Sequence, residues 1–227
     1  MTQPDRIPEM DANTEVKRRP RRPHGPLMRI ASLVGDVFSP LLMATYAMVI
    51  ALWLTPMNRL PFNVRAWSSV GVFFITCLVP ALTVLLLLRS GRISDVSISD
   101  RRQRPFPFMV GVVCYIIAAI FLAVLNAPRW LVCFFIAATL VAVVELIVSL
   151  RWKISAHAGA AGGLLGFVWW LCARHALIGD PFITLSATIL MVGVVCWARM
   201  LMRHHTFGQV CAGAALGFLV EFLMLIF

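Results

Sequence analysis

Three short stretches of this chain bring together residue types able to handle phosphate. In Ala198 to Val210, ARMLMRHHTFGQV, five residues separate Arg199 from His205 and three more separate His205 from Gln209. An arginine and a histidine at the junction of two apolar segments supply an anion clamp and a nucleophile or general base, and neither belongs in hydrocarbon without a task or a partner. In KISAH, Lys153, Ser155, Ala156 and His157 put a cation, a hydroxyl, free backbone N–H groups and an imidazole at a helix start, a ready anion site. In DRRQRP, Arg101, Arg102 and Arg104 precede Pro105, a residue suited to open a helix. Guanidinium forks and helix-start N–H groups stabilise the charge that spreads over a phosphoryl group in flight, and histidine works as nucleophile or acid near neutral pH. No metal and no cofactor are required, and the acids nearest these stretches, Asp95 and Asp100, form no carboxylate cluster.

The elements that must position these residues follow from composition. With 60% apolar and 13% charged residues, the chain reads as an all-α polytopic membrane bundle. About seven spans are expected, six plus a short first one: 37–54, 67–88, 106–125, 130–150, 158–177, 182–198 and 206–227. The first, at 18 residues, covers about 27 Å, barely a hydrocarbon core of about 30 Å. It follows an amphipathic interfacial segment over 27–38. Residues 1–26, ending KRRPRRPHGP, are expected to be a disordered basic tail resting on an anionic membrane surface, and 27–227 a single transmembrane domain. The first apolar run comes too late for a signal peptide and is expected to be an uncleaved anchor. Seven crossings put the three polar stretches on one face.

The order and spacing of the three stretches resemble the signature motifs of the type 2 phosphatidic acid phosphatases, membrane lipid phosphate phosphatases, over about residues 89 to 213. Arg104-Pro105 resembles the end of the first motif, Ser155-Ala156-His157 the second, and Arg199 with His205 the third. The resemblance implies a metal-independent phosphatase in which His205 attacks phosphorus, His157 protonates the leaving alcohol, and Arg104 and Arg199 hold the phosphoryl oxygens. Two positions depart from the pattern. Ser97 stands where the family has a lysine, whose charge Arg101, Arg102 or Lys153 could supply, and Gln209 stands where it has an aspartate. Gln209 is expected to accept the imidazole N–H of His205 from one helical turn away. The rival expectation is a weakened member that binds phosphorylated lipid headgroups, or serves as a membrane partner, without turnover.

The net charge of +10 is explained by placement, with no nucleic acid needed. On the seven-span layout, sixteen of the twenty Lys and Arg share the face of the three stretches and only Arg59, Arg65, Arg129 and Arg174 lie opposite. The positive-inside rule then puts the site on the cytoplasmic side of a cell inner membrane. The expected substrate is a lipid phosphate drawn from the bilayer: phosphatidate, phosphatidylglycerophosphate, an isoprenoid phosphate or lipid A. Among the remaining residues, Glu145 lies about 18 Å of helix before His157 and reads as structural. Glu221, toward the far end of the last span, reads as an interface or packing carboxylate near Arg174 or His175, and His204 as a headgroup-facing neighbour. The tryptophans near span ends, Trp53, Trp67, Trp130, Trp152 and Trp197, read as an aromatic belt, and the six cysteines as packing residues.

Overall fold

The computed structural model describes residues 25–94, 103 and 105–226, and every regular element among them is helical. Helices α1 (Pro26–Val37) and α2 (Pro40–Trp53) form a pair bent by 61°. Next, α3 (Phe62–Phe73) and α4 (Val79–Arg89) are joined through one π turn, Phe74–Leu78, into a single crossing. The bundle is completed by α5 (Pro105–Val124), α6 (Arg129–Ser149), α7 (Ala156–Ala173), α8 (Pro181–Leu201) and α9 (Phe207–Ile226). Six of these crossings are long and apolar enough to span a membrane alone, and the bent pair makes a seventh if it is counted as one span. The protein is thus a multi-pass helical membrane protein. Its basic tail, up to residue 24, lies outside the described residues.

Prolines set several of the boundaries. Pro26, Pro40 and Pro181 occupy the first turns of α1, α2 and α8, where a missing N–H costs nothing. Asp180 adds a side-chain cap, accepting from the Phe182 N–H at 2.9 Å. Within the α3–α4 crossing, Pro80 removes a ladder donor. The π turn lies just before it, with the Thr76 hydroxyl donating to the Val72 carbonyl.

The first span differs in detail from expectation. Its helix starts at Pro40, and its 14 residues cover about 21 Å, short of a full hydrocarbon core. It nevertheless reaches the face opposite the site, because the Leu54 carbonyl accepts the Ile178 N–H from the turn between α7 and α8. The bend at Phe38-Ser39 is braced by the Tyr46 hydroxyl, which donates to the Val37 carbonyl at 2.7 Å. Along α1 the apolar residues Leu27, Ile30, Leu33 and Val37 are exposed while Ala31 and Gly35 are buried, the pattern of an interfacial helix with an apolar stripe free to meet lipid.

The least apolar span, α7, is also the most enclosed. Its partner is α9, with which it runs parallel from the site face. A methyl at Gly162 would fall on the Ala214 backbone, one at Gly213 on the Ser155 carbonyl and one at Gly217 on the Gly159 carbonyl, so the two backbones touch. Toward the opposite face the bundle is filled by aromatic rings, with Phe134 and Phe167 centred 4.8 Å apart and Trp130 packed on both Phe167 and Trp170. Trp130 therefore belongs to this plug rather than to an interfacial belt.

Candidate functional site

The sequence of α8 places Arg199 in its last turn, and the helix runs on to Leu201, beyond the expected end at Ala198. This extension keeps Arg199 buried, 4% exposed, inside the bundle. The chain then reverses through Arg203, which adopts a left-handed φ of 54°, while the His204 and His205 N–H groups return to the Arg199 carbonyl. The short reversal tucks His205, 8% exposed, back beside the arginine, whereas His204 stays half-buried.

The imidazole of His205 is oriented across the site. Its Nδ1 lies 3.3 Å from the backbone carbonyl of Lys153. A proton on Nδ1 directed at that carbonyl puts the ring lone pair on Nε2, the tautomer a nucleophile requires. Gln209 does not take the expected part. Its side-chain carbonyl accepts the Thr206 N–H at 3.1 Å, and its own N–H returns to the Thr206 backbone carbonyl, so its side chain caps the start of α9. The Thr-x-x-Gln spacing was visible in the sequence. The Thr206 N–H at the helix start takes the side chain in place of the ring, because it lies within the same turn.

Ser155 caps α7, fully buried, its Oγ accepting the Ala158 N–H at 3.4 Å, while its own N–H meets the Gln209 carbonyl. The α7 start and the α9 start are thereby fastened to each other. Ala156 and His157 follow in the first turn of α7 and line the same cavity as Arg199 and His205. The Nε2 of His157 lies 3.2 Å from the Gly35 carbonyl at the end of α1, and a Cβ at Gly35 would lie 3.4 Å from Nη1 of Arg199. The first helix pair thus lends a backbone carbonyl to the site, a contribution that no sequence pattern signals. Arg101 and Arg104 lie outside the described residues, as do Arg102 and Ser97. The base of their loop is closed by the Ser94 N–H and hydroxyl, which donate to the Gln103 side-chain carbonyl at 2.8 and 3.1 Å.

Below this cluster a cavity of about 230 Å³ enters the bundle between α2, α5, α6, α7 and α9. Met43, Ala44, Phe108, Phe134 and Leu164 give it apolar walls. Two carboxyl groups also line it, and both expectations about them change. Glu145 is not remote from His157, because α6 and α7 reverse direction across residues 150–155. Its Oε1 lies where a Gly159 side chain would begin, and the carboxyl is buried near the cavity mouth. Glu221 is not at the far surface with Arg174, whose guanidinium instead stacks over Trp170 at 5.8 Å. It is 1% exposed and packs against Gly163 and Gly166 in the middle of the bundle. The signal for both was a carboxylate within an otherwise apolar span.

Chemically, the mouth joins a buried guanidinium, an oriented imidazole, a second imidazole and the free N–H groups of a helix start, above an apolar cavity. Such a set has the donors and the apolar space that a tetrahedral oxyanion on a hydrophobic body requires. No protein-family profile, curated protein or solved structure matches the chain.

Proposed function

We propose that this protein is a membrane lipid phosphate phosphatase that removes a terminal phosphate from a phospholipid or isoprenoid phosphate through a phosphohistidine intermediate. The observation that carries the reading is the convergence of Arg199, His205, Ala156 and His157, from two chain reversals far apart in sequence, on one apolar cavity. The motif resemblance supports the same assignment.

In this mechanism the lipid phosphate enters with its oxygens on the Arg199 guanidinium and the first N–H groups of α7, and its chain in the cavity. Nε2 of His205 attacks phosphorus while the ester oxygen departs. With the dianionic phosphate bound beside it to offset Arg199, His157 carries a proton on each ring nitrogen, Nε2–H donating to the Gly35 carbonyl, and it gives the Nδ1 proton to the leaving oxygen, so that the alcohol leaves neutral. Water then attacks the phosphohistidine, Nδ1 of His157 takes the water proton, and the N–P bond breaks to release inorganic phosphate and restore His205. The Lys153 carbonyl performs the orienting task that a carboxylate performs in an acid–histidine pair, without adding negative charge.

The positive-inside count supports a mouth on the cytoplasmic side of the inner membrane, which would suit phosphatidate or phosphatidylglycerophosphate. The test is phosphate release by purified protein from phosphatidate, phosphatidylglycerophosphate, isoprenoid phosphates and lipid A, with acid-labile phosphate sought on His205. Release with a trapped phosphohistidine is expected. Tight binding of these lipids with no release from any of them would instead establish the rival reading, a binding protein for phosphorylated headgroups.

A further inference from the structure

The floor of the cavity poses a question that phosphate chemistry does not answer. Glu221 is 1% exposed, its Oε2 makes no hydrogen bond, and its side chain lies along the flat surface left by Gly163 and Gly166. A Cβ at Gly163 would stand 3.2 Å from the Glu221 Cγ, so the glycines make room for the carboxyl where it sits. Buried polar groups almost always find a partner, and a carboxyl lining a cavity can receive one from the molecule that fills it. Gly163 lies six residues beyond His157, which places Glu221 about 9 Å below the mouth along α7. The hydroxyl of Tyr115, another residue of the walls, already donates to the Pro40 carbonyl at 3.3 Å.

We propose that Glu221 is a recognition residue for a hydrogen-bond donor, a hydroxyl or an ammonium, carried on the hydrocarbon part of a ligand whose anionic head occupies the Arg199–His205 mouth. This deepens the reading of the mouth as an anion site and rests on it. A carboxyl, ionised or protonated, keeps at least one oxygen that only accepts. A plain alkyl chain, or one carrying only a carbonyl, leaves that oxygen orphaned on binding, whereas a donor satisfies it. Sites built to hydrogen-bond a ligand donor discriminate strongly against the analogue that lacks it. The cavity therefore selects amphiphilic phosphates with a mid-chain donor over those with pure hydrocarbon or carbonyl-only chains.

Four matched probes test this: dodecyl phosphate and its derivatives bearing a hydroxyl, an ammonium or a ketone at the sixth carbon, which an extended chain holds near the depth of Glu221. Binding to full-length protein in detergent is measured separately from phosphate release. The hydroxyl and ammonium probes are expected to bind about tenfold more tightly than the plain and ketone probes. Glu221→Leu should abolish the difference, and Glu221→Gln should keep the hydroxyl preference while losing the ammonium one. Equal binding of all four probes, or a preference that survives Glu221→Leu, overturns the proposal. Should Glu221→Leu fail to fold, labelling of wild-type Glu221 by a hydrophobic carbodiimide, read by mass spectrometry, decides the matter. Slower labelling with the two donor probes alone supports the proposal, and equal protection by all four overturns it. Selective binding without phosphate release from any probe would leave the Glu221 assignment standing while removing the phosphatase reading.

Discussion

At the residue scale the central pair is His205 and the carbonyl 3.3 Å from its Nδ1. If His205 is the attacking group, its replacement removes the bond-forming nitrogen itself. His205→Ala should lower turnover by on the order of 10³ or more while leaving the protein folded, as measured by phosphate release beside thermal unfolding in detergent. A variant retaining a tenth of wild-type turnover would exclude His205 as nucleophile. Gln209 makes a contrasting case, since its side chain caps α9 rather than touching the ring. Gln209→Leu should cost about 1 kcal/mol of stability through the lost cap, with turnover of the folded fraction within a few-fold of wild type. Gln209→Glu keeps the side-chain acceptor for the Thr206 N–H and should restore stability. A collapse of turnover at unchanged stability would mean that Gln209 acts on His205 after all.

At the element scale the site depends on how closely α7 and α9 approach. Their glycines let the Ser155 carbonyl rest against Gly213 and the Gly159 carbonyl against Gly217, which fixes the relative height of the helices that carry His157 and His205. A methyl at Gly217 meets backbone, which has no rotamer by which to yield. Gly217→Ala is therefore expected to destabilise by about 1–3 kcal/mol, and also to reduce turnover by separating the two histidine-bearing starts. Gly193 on α8 offers the control, because a Cβ there meets nothing within 4 Å. Gly193→Ala should be neutral or slightly stabilising, given the higher helix propensity of alanine. Thermal unfolding of both variants in one detergent checks the pair, and equal losses would contradict the packing described.

At the scale of the whole molecule, α2 determines the sidedness. Its end at Leu54 is held by Ile178 on the face opposite the site, so residues 54–61, the turn at 125–128 and the end of α9 share that face. Reporter fusions after Arg59 and at the carboxyl end should both read as periplasmic, and a fusion in the turn after α8, near Arg203, as cytoplasmic. A cytoplasmic signal after Arg59 would remove the seventh crossing and turn the site outward, toward isoprenoid phosphate or lipid A substrates.

Much of this was written in the sequence by itself. Long apolar runs separated by proline- and arginine-bearing turns specify helical spans, because in hydrocarbon every backbone group must be satisfied within its own segment. The spans from α5 to α9 consequently stand within a few residues of their expected bounds. The spacing of Arg199, Ser155, His157 and His205 was equally legible, since each lies at a span end where its side chain reaches the same face. What only the tertiary structure decided is which partner each side chain takes. Local spacing assigned Gln209 to His205, yet a helix start claimed the glutamine, and the carbonyl of Lys153, distant in sequence, took its place. Distance along one helix separated Glu145 from His157, but the reversal between α6 and α7 brought both to one cavity. Depth along α9 suggested an interface or packing place for Glu221 near Arg174 or His175, and the glycines of α7 fix it as a packed carboxyl lining the cavity. Hydropathy and period are properties of a single segment, whereas backbone carbonyls and glycine gaps become partners only when segments meet.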